Sequence, residues 1–218
     1  MSSDGTDLRA RLIALAVHDL RNPLASILGN AEYLVQAREL GPDSREAAAD
    51  LLAAARLMAR GLGELRAVNR AVDGDLHLEP TIVDAAEVAA AVAHDLEPRA
   101  SRAGVELVAR AAPAKVLADR SHLRHVIEEL CDCALRGAPA GTLIEIVTGG
   151  ATISIRDRRQ PPPPDDIARM FEVDSEAGLG RRLGLLFCRL VAESMGGTVS
   201  ARLDSDGAFA TVLTLPSR

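Results

Sequence analysis

Residues 18–30 read HDLRNPLASILGN. A histidine stands beside an aspartate, an asparagine follows one helical turn later, and a proline comes next, all within an apolar-periodic stretch. Outward from this segment, Ile13, Val17, Leu20, Leu24, Ile27, Ala31 and Leu34 recur with alternating spacings of four and three. That alternation is a heptad seam, the pattern of helices that pack in coiled-coil-like bundles. With about 100° of turn per residue and the seam at zero, His18 falls at roughly 140°, Asn22 at roughly 180° and Ser26 at roughly 220°. All three therefore face away from the seam. Ala25 and Gly29 share that side, so the surface beside the histidine is low and open. Pro23 removes one backbone donor and predicts a kink in a continuing helix, since the seam stays in phase on both sides of it.

A second helix follows the same rule. Leu51, Ala55, Met58, Leu62 and Leu65 continue the alternation, and Val72 falls in phase after a polar Asn69. Between the helices, Gly41 can close the first and Pro42 stops it continuing. Asp43 with Glu46 three residues later resembles a capping box for the second. The unit is a helical hairpin. Two helices alone bury too little surface to be stable, so the seams predict a homodimer that forms a four-helix bundle.

From about residue 76 the texture changes. Short β-like runs appear: LHLEPTIVD, VELVARA, AKVLA, TLIEIVT, ATISIRD, GTVSARL and FATVLTL. Helix-like stretches lie around 84–102, 119–136, 164–171 and 182–195. Gly149-Gly150 and Gly207 mark hairpin turns. The pattern predicts an α+β chain of two domains, a hairpin over 1–75 and an α/β sandwich over 76–218 with mostly antiparallel strands.

The composition narrows the function classes. A net charge of −6 argues against a nucleic-acid surface, because phosphate backbones need clustered cations. Cys131, Cys133 and Cys188 make an odd number, which implies no disulfide framework and fits a reducing cytoplasm. The N-terminal stretch does not read as a signal peptide, and no segment reads as a membrane span. The expectation is a cytoplasmic protein with neither nucleic acid nor membrane as partner.

The chemistry of the opening segment centres on His18. A neutral imidazole is a nucleophile, and an unperturbed pKa of about 6.5 leaves it mostly neutral near pH 7. Asp19 could accept the second ring N–H and fix the tautomer. Asn22 could hydrogen-bond a phosphoryl group or a water. The blander alternative is an exposed polar face that happens to carry a histidine.

His18-Asp19-Leu20-Arg21-Asn22-Pro23-Leu24 resembles the phosphoacceptor box of bacterial sensor histidine kinases. The resemblance implies a dimeric bundle followed by a gyrase-type ATP-binding sandwich, and both halves match in order and size. It makes His18 the phosphorylated residue, Asp19 its acid/base partner and Asn22 the position that orients water when the phosphoryl group is removed. Three patches of that family's nucleotide site can be followed into this chain. On the helix around 123–136, the positions usually held by asparagine are Glu129 and Cys133. A Mg²⁺ ion wants hard oxygen ligands, which Cys133 cannot supply. Asp157, the usual adenine-reading carboxylate, is kept, but Arg158-Arg159-Gln160 and Pro161–Pro164 replace the glycine-rich turn after it. Of the phosphate-wrapping glycines, Gly180 and Gly184 survive, with Arg182 between them. Asp157, Gly180 and Gly184 are thus remnants of a nucleotide site, and neither ATP nor Mg²⁺ is expected as a working cofactor. A counter-reading makes Arg158, Arg159, Arg181 and Arg182 a new phosphate-binding cluster.

His122, His125, Cys131 and Cys133 suggest zinc only in sequence, since Cys131 and Cys133 differ by about 200° around a helix. No metal site is expected. The expected function is a histidine phosphotransfer protein that passes phosphoryl groups between receiver aspartates through His18. Its partners would be response-regulator receiver domains and an upstream hybrid or sensor kinase. The alternatives are an atypical histidine kinase or response-regulator phosphatase, and a non-catalytic adaptor that binds a response regulator.

Overall fold

The computed structural model describes residues 17, 20, 24–37, 41–72, 74, 76–172 and 179–217. His18, Asp19, Asn22 and Pro23, with the expected kink, lie outside the described residues. The chain divides into two compact units, Met1–Asp75 and Leu76–Arg218. Among the described residues, no helix is long and apolar enough to cross a membrane.

The first unit is a helical hairpin. Its first helix, α1, is described over 24–36, with residues 17 and 20 also helical, and α2 spans Pro42–Val72. The seam splits by depth. Val17, Leu24 and Ala31, seven apart, are buried, whereas Leu20, Ile27 and Leu34, on the adjoining stripe, are exposed. Ala48, Leu52 and Ala55 of α2 are buried, while Leu51 and Met58 are exposed. Pro42 corrects the expected boundary: it opens α2, with the Arg45 N–H donating to the Gly41 carbonyl at 3.0 Å. Proline suits a first helical position, where its missing donor would have no helical partner and its φ is already set. Asp43 therefore sits in the first turn and not at the cap position.

The second unit is an α/β sandwich. In chain order it contains β1 (Thr81–Asp84), α3 (Ala85–Arg102), β2 (Glu106–Ala111), β3 (Lys115–Ala118), α4 (Arg120–Gly137), β4 (Leu143–Gly149) and β5 (Thr152–Asp157). The short α5 (Pro164–Ala168), α6 (Leu179–Ser194), β6 (Thr198–Leu203) and β7 (Phe209–Thr214) complete it. The main sheet runs β2-β4-β5-β7-β6, and β1 pairs with β3 in a separate two-stranded sheet. β2 and β4 are parallel; the other paired strands are antiparallel. Alternate residues of β4 and β5 are buried, among them Ile144, Ile146, Ile153 and Ile155. Period-2 alternation of this kind turns one sheet face to a core. Helices α3, α4 and α6 pack against β2, β5 and β6, and α4 packs between α3 and α6. Gly150, with φ of +60°, makes the turn between β4 and β5, a conformation that β-branched residues avoid.

Polar anchors tie the sandwich together. Asp84 caps α3 by accepting from the Ala86 N–H at 3.0 Å, and it also accepts from the Ala114 N–H at 3.1 Å. Asp119 caps α4 through the N–H groups of Ser121 and His122, at 2.9 and 3.0 Å, and its other oxygen accepts from the Glu79 N–H at 3.0 Å. One side chain thus satisfies orphan donors at a helix start and fixes the segment entering β1.

Candidate functional site

Asp157, expected as a nucleotide-site residue, lies at the C-terminal end of β5. Strand pairing carries Asp157 inward opposite Phe209 of β7, and its side chain is buried. The carboxylate would pay a large desolvation penalty alone. Arg159 supplies the partner. Its Nε donates to Asp157 Oδ1 and Oδ2 at 2.8 and 2.9 Å, and its Nη2 donates to Oδ2 at 2.6 Å. The Arg159 backbone N–H donates to Oδ1 at 2.8 Å, which makes a local turn closed by an aspartate side chain. Nη2 also donates to the Cys133 carbonyl at 3.0 Å, and Nη1 lies 3.5 Å from the Cys133 sulfur. The guanidinium carbon stands 4.8 Å from the centroid of the Phe209 ring. Burial works against the Arg159 charge, but hydrogen bonds to Asp157 and the neighbouring negative charge outweigh it and raise its pKa.

Gly137, the last residue of α4, leaves room for this arrangement. A Cβ there would stand 3.0 Å from three atoms of the Arg159 guanidine group. Beyond Arg159 the prolines run extended, with Pro163 at φ −52° and ψ 148°, until Pro164 opens α5.

The other expected site residues go elsewhere. Gly180 and Gly184 lie inside α6, not in a turn before it. The surrounding arginines and leucines favour helix, and each glycine costs only about 1 kcal/mol in a helix interior. Glu129 is buried on α4 with the His125 ring Nε2 at 3.9 Å. Asp132 is buried and paired with Arg99. Arg158 donates to the Asp206 carboxylate at 3.0 Å and to its backbone carbonyl at 2.7 Å. It belongs to a network in which Arg156 reaches Glu145, Asp204 and Asp206. Arg158 and Arg159 are thus committed to carboxylates, which tells against the counter-reading of a phosphate-binding cluster. The side chains of Arg181 and Arg182 lie outside the described residues.

The histidines and cysteines of α4 likewise have separate partners. His122 Nδ1 lies 3.0 Å from Asp119, the His125 ring packs 4.3 Å from that of Phe187, and the Cys133 sulfur faces Arg159. Cys131 is fully buried, and burial pushes its thiol pKa up, so it is held protonated.

Arg159 takes a partner that was not part of the sequence reading. Its spacing from Asp157 was a usable signal, since aspartate side chains commonly accept from the N–H two residues on.

The residues present do not fit an adenine nucleotide with Mg²⁺. Both oxygens of the base-side carboxylate already accept from Arg159, and Cys133 offers sulfur where a hard cation wants oxygen.

Comparison with known proteins adds a family frame. The His Kinase A (phospho-acceptor) domain matches residues 8–74. The histidine kinase-, DNA gyrase B-, and HSP90-like ATPase domain matches residues 118–218. The sensor protein IrlS of Burkholderia pseudomallei is 29% identical, covering 83% of this chain and 41% of its own length. The signal transduction histidine-protein kinase/phosphatase MprB of Mycolicibacterium vanbaalenii is 26% identical, covering 90% of this chain and 43% of its own. The chain thus spans less than half the length of these two relatives. The structure of full-length ShkA in complex with AMPPNP superposes with a TM-score of 0.70 at 22% identity, over 95% of this chain and 47% of that one. At that identity the likeness shows the fold alone.

These matches overturn the expected histidine phosphotransfer protein. Transfer between receiver aspartates needs only an exposed imidazole on a helical scaffold. Here a His Kinase A (phospho-acceptor) domain is followed by a histidine kinase-type ATPase domain, and the relatives are named as a sensor protein and as a histidine-protein kinase/phosphatase.

Proposed function

Because this chain belongs to the sensor histidine kinases, whose members phosphorylate themselves from ATP, with that family's phosphoacceptor and ATPase-type domains in order, we propose that it acts in two-component signalling as an atypical kinase that works chiefly as a response-regulator phosphatase. The observation that carries the reading is the contrast between its two sites. The box from His18 to Asn22 has every group the phosphoacceptor domain needs, while Asp157 in the sandwich is occupied by Arg159.

The residue roles follow from their chemistry. His18 is the phosphoacceptor, and Asp19 accepts its second ring N–H. Asn22, one turn on, orients a water against the phosphorus of an aspartyl phosphate on the bound receiver domain. Attack breaks the phosphorus–oxygen bond to the aspartate, frees its carboxylate and releases inorganic phosphate. The receiver brings its own acidic pocket and metal, so no nucleotide step is required. The exposed stripe of Leu20, Ile27 and Leu34 supports a homodimer that presents two such boxes.

The test is release of phosphate from a panel of phosphorylated receiver domains, with and without the chain. One receiver should lose phosphate faster in its presence. Asn22→Ala should slow that release by about 10²–10³-fold, the usual effect of removing one well-placed hydrogen-bonding group. Rapid labelling of His18 from γ-labelled ATP, with no accelerated release from any receiver, would sink the phosphatase assignment in favour of an ordinary kinase.

A further inference from the structure

The Arg159 guanidinium does more than neutralise Asp157. It is a planar group that presents parallel N–H donors edge-on to a buried carboxylate and lies against an aromatic ring. An aminopurine edge would satisfy the same surroundings in the same way, with N–H donors toward the carboxylate and its flat face on Phe209. Three elements converge on the guanidinium: β5 through Asp157, α4 through the Cys133 carbonyl and the bare Gly137, and β7 through Phe209. Its side chain is 11% exposed and that of Asp157 is 1% exposed, so little of either remains open to a ligand.

We infer that Arg159 is a built-in occupant of the base pocket, a side chain of the protein's own that fills the place of a purine and closes the sandwich to nucleotide. The closure is local and reversible in principle, because Arg159 follows β5 and leads into an extended segment with no strand pairing of its own. Moving the guanidinium away would uncover an intact carboxylate and ring. The phosphatase reading uses the same occupied carboxylate, but release of phosphate from receivers is measured without nucleotide, so failure of one is distinguishable from failure of the other.

The experiment measures binding, not activity. The full-length chain is titrated with adenosine and with metal-free ADP, followed by calorimetry and by saturation transfer to the base protons. The wild type should show no binding up to millimolar ligand. Arg159→Ala should gain affinity by at least tenfold, and the double variant Asp157→Asn with Arg159→Ala should lose that gain, since the freed carboxylate reads the base. Thermal unfolding checks that each variant is folded. If Arg159→Ala fails to fold, Arg159→Gln, which keeps donors but is shorter and uncharged, carries the same comparison. Micromolar binding by the wild type would overturn the inference. So would a folded Arg159 variant that binds no better than the wild type, because the pocket would then be closed for another reason.

Discussion

In the helical hairpin half of the apolar seam is buried and half is exposed, whereas in the sandwich the inward positions of β4 and β5 are buried along their length. Val17, Leu24 and Ala31 are satisfied within the hairpin; Leu20, Ile27 and Leu34 are left for a surface the single chain does not provide. The sandwich closes its core with its own helices. Asp119 and Asp132 each tie separate elements of the sandwich from buried positions, while the hairpin pairs Glu32 with Arg56 at its surface and also buries Glu64. The hairpin leaves part of its seam exposed, which supports association. The sandwich is closed by its own helices and uses polar groups internally, including the Asp157 carboxylate.

The largest expected effect contrasts two isoleucines. Ile153 is fully buried and Ile27 is 43% exposed. Ile153→Ala should cost about 2–5 kcal/mol of stability, from lost transfer energy plus the cavity left behind. Ile27→Ala should change the single chain's stability by about 0.5 kcal/mol or less. Ile27→Glu should instead shift the mass seen by light scattering from dimer to monomer, because a charge has no partner in an apolar seam. Equal losses of stability in denaturant for the two alanine variants, with unchanged mass for Ile27→Glu, would erase the contrast between the regions.

A smaller effect probes a polar anchor of the sandwich. Burial would raise the Asp119 pKa, but hydrogen bonds from Glu79, His122 and Ser121 outweigh it and hold the carboxyl well below its ordinary value of 3.8. A depressed folded-state pKa stabilises the fold above the unfolded value, and the contribution is lost as pH falls through the folded one. Asp119→Asn can still cap α4, yet its amide would turn a donor toward the Glu79 N–H. We expect a loss of about 1–2 kcal/mol near pH 7, shrinking as pH drops below about 4. A difference between wild type and variant that stays flat from neutral pH to about pH 2 would show that the charge contributes nothing.

The sandwich was legible because its strands announce themselves by period-2 apolar runs and its turns by glycine. Each of the seven β-like runs matches one of the strands β1 to β7, the fourth stopping one residue short of the end of β4. The hairpin's helices were legible from the heptad spacing, but not the role of Pro42, since a proline that ends one helix and one that opens the next look alike when only a turn separates them. The site was less legible for a physical reason. Replaced positions such as Cys133 can be seen by residue type, whereas Arg159's destination depends on Gly137 and Phe209, more than twenty residues away on either side. Gly180 and Gly184 fall in the first turns of α6, since glycine permits a loop without requiring one.

The smallest expected effect lies back in the hairpin. Arg56 Nη2 and Glu32 Oε1 meet at 2.9 Å across α1 and α2, with side chains 57% and 43% exposed. Both ions stay hydrated, and two long side chains lose freedom to hold one geometry, so the pair should contribute only about 0.2–1 kcal/mol. A double-mutant cycle of Arg56→Ala and Glu32→Ala should read that coupling at low ionic strength and much less of it at about 1 M salt, where the screening length shrinks to about 3 Å. The contrast with Asp119 sharpens the comparison: the sandwich anchor joins orphan backbone donors that have nowhere else to go, whereas either member of the hairpin pair can return to water. A coupling above about 2 kcal/mol that persists in salt would mean the helices are registered by charge as well as by the seam, and the hairpin would then hold itself together by the same means as the sandwich.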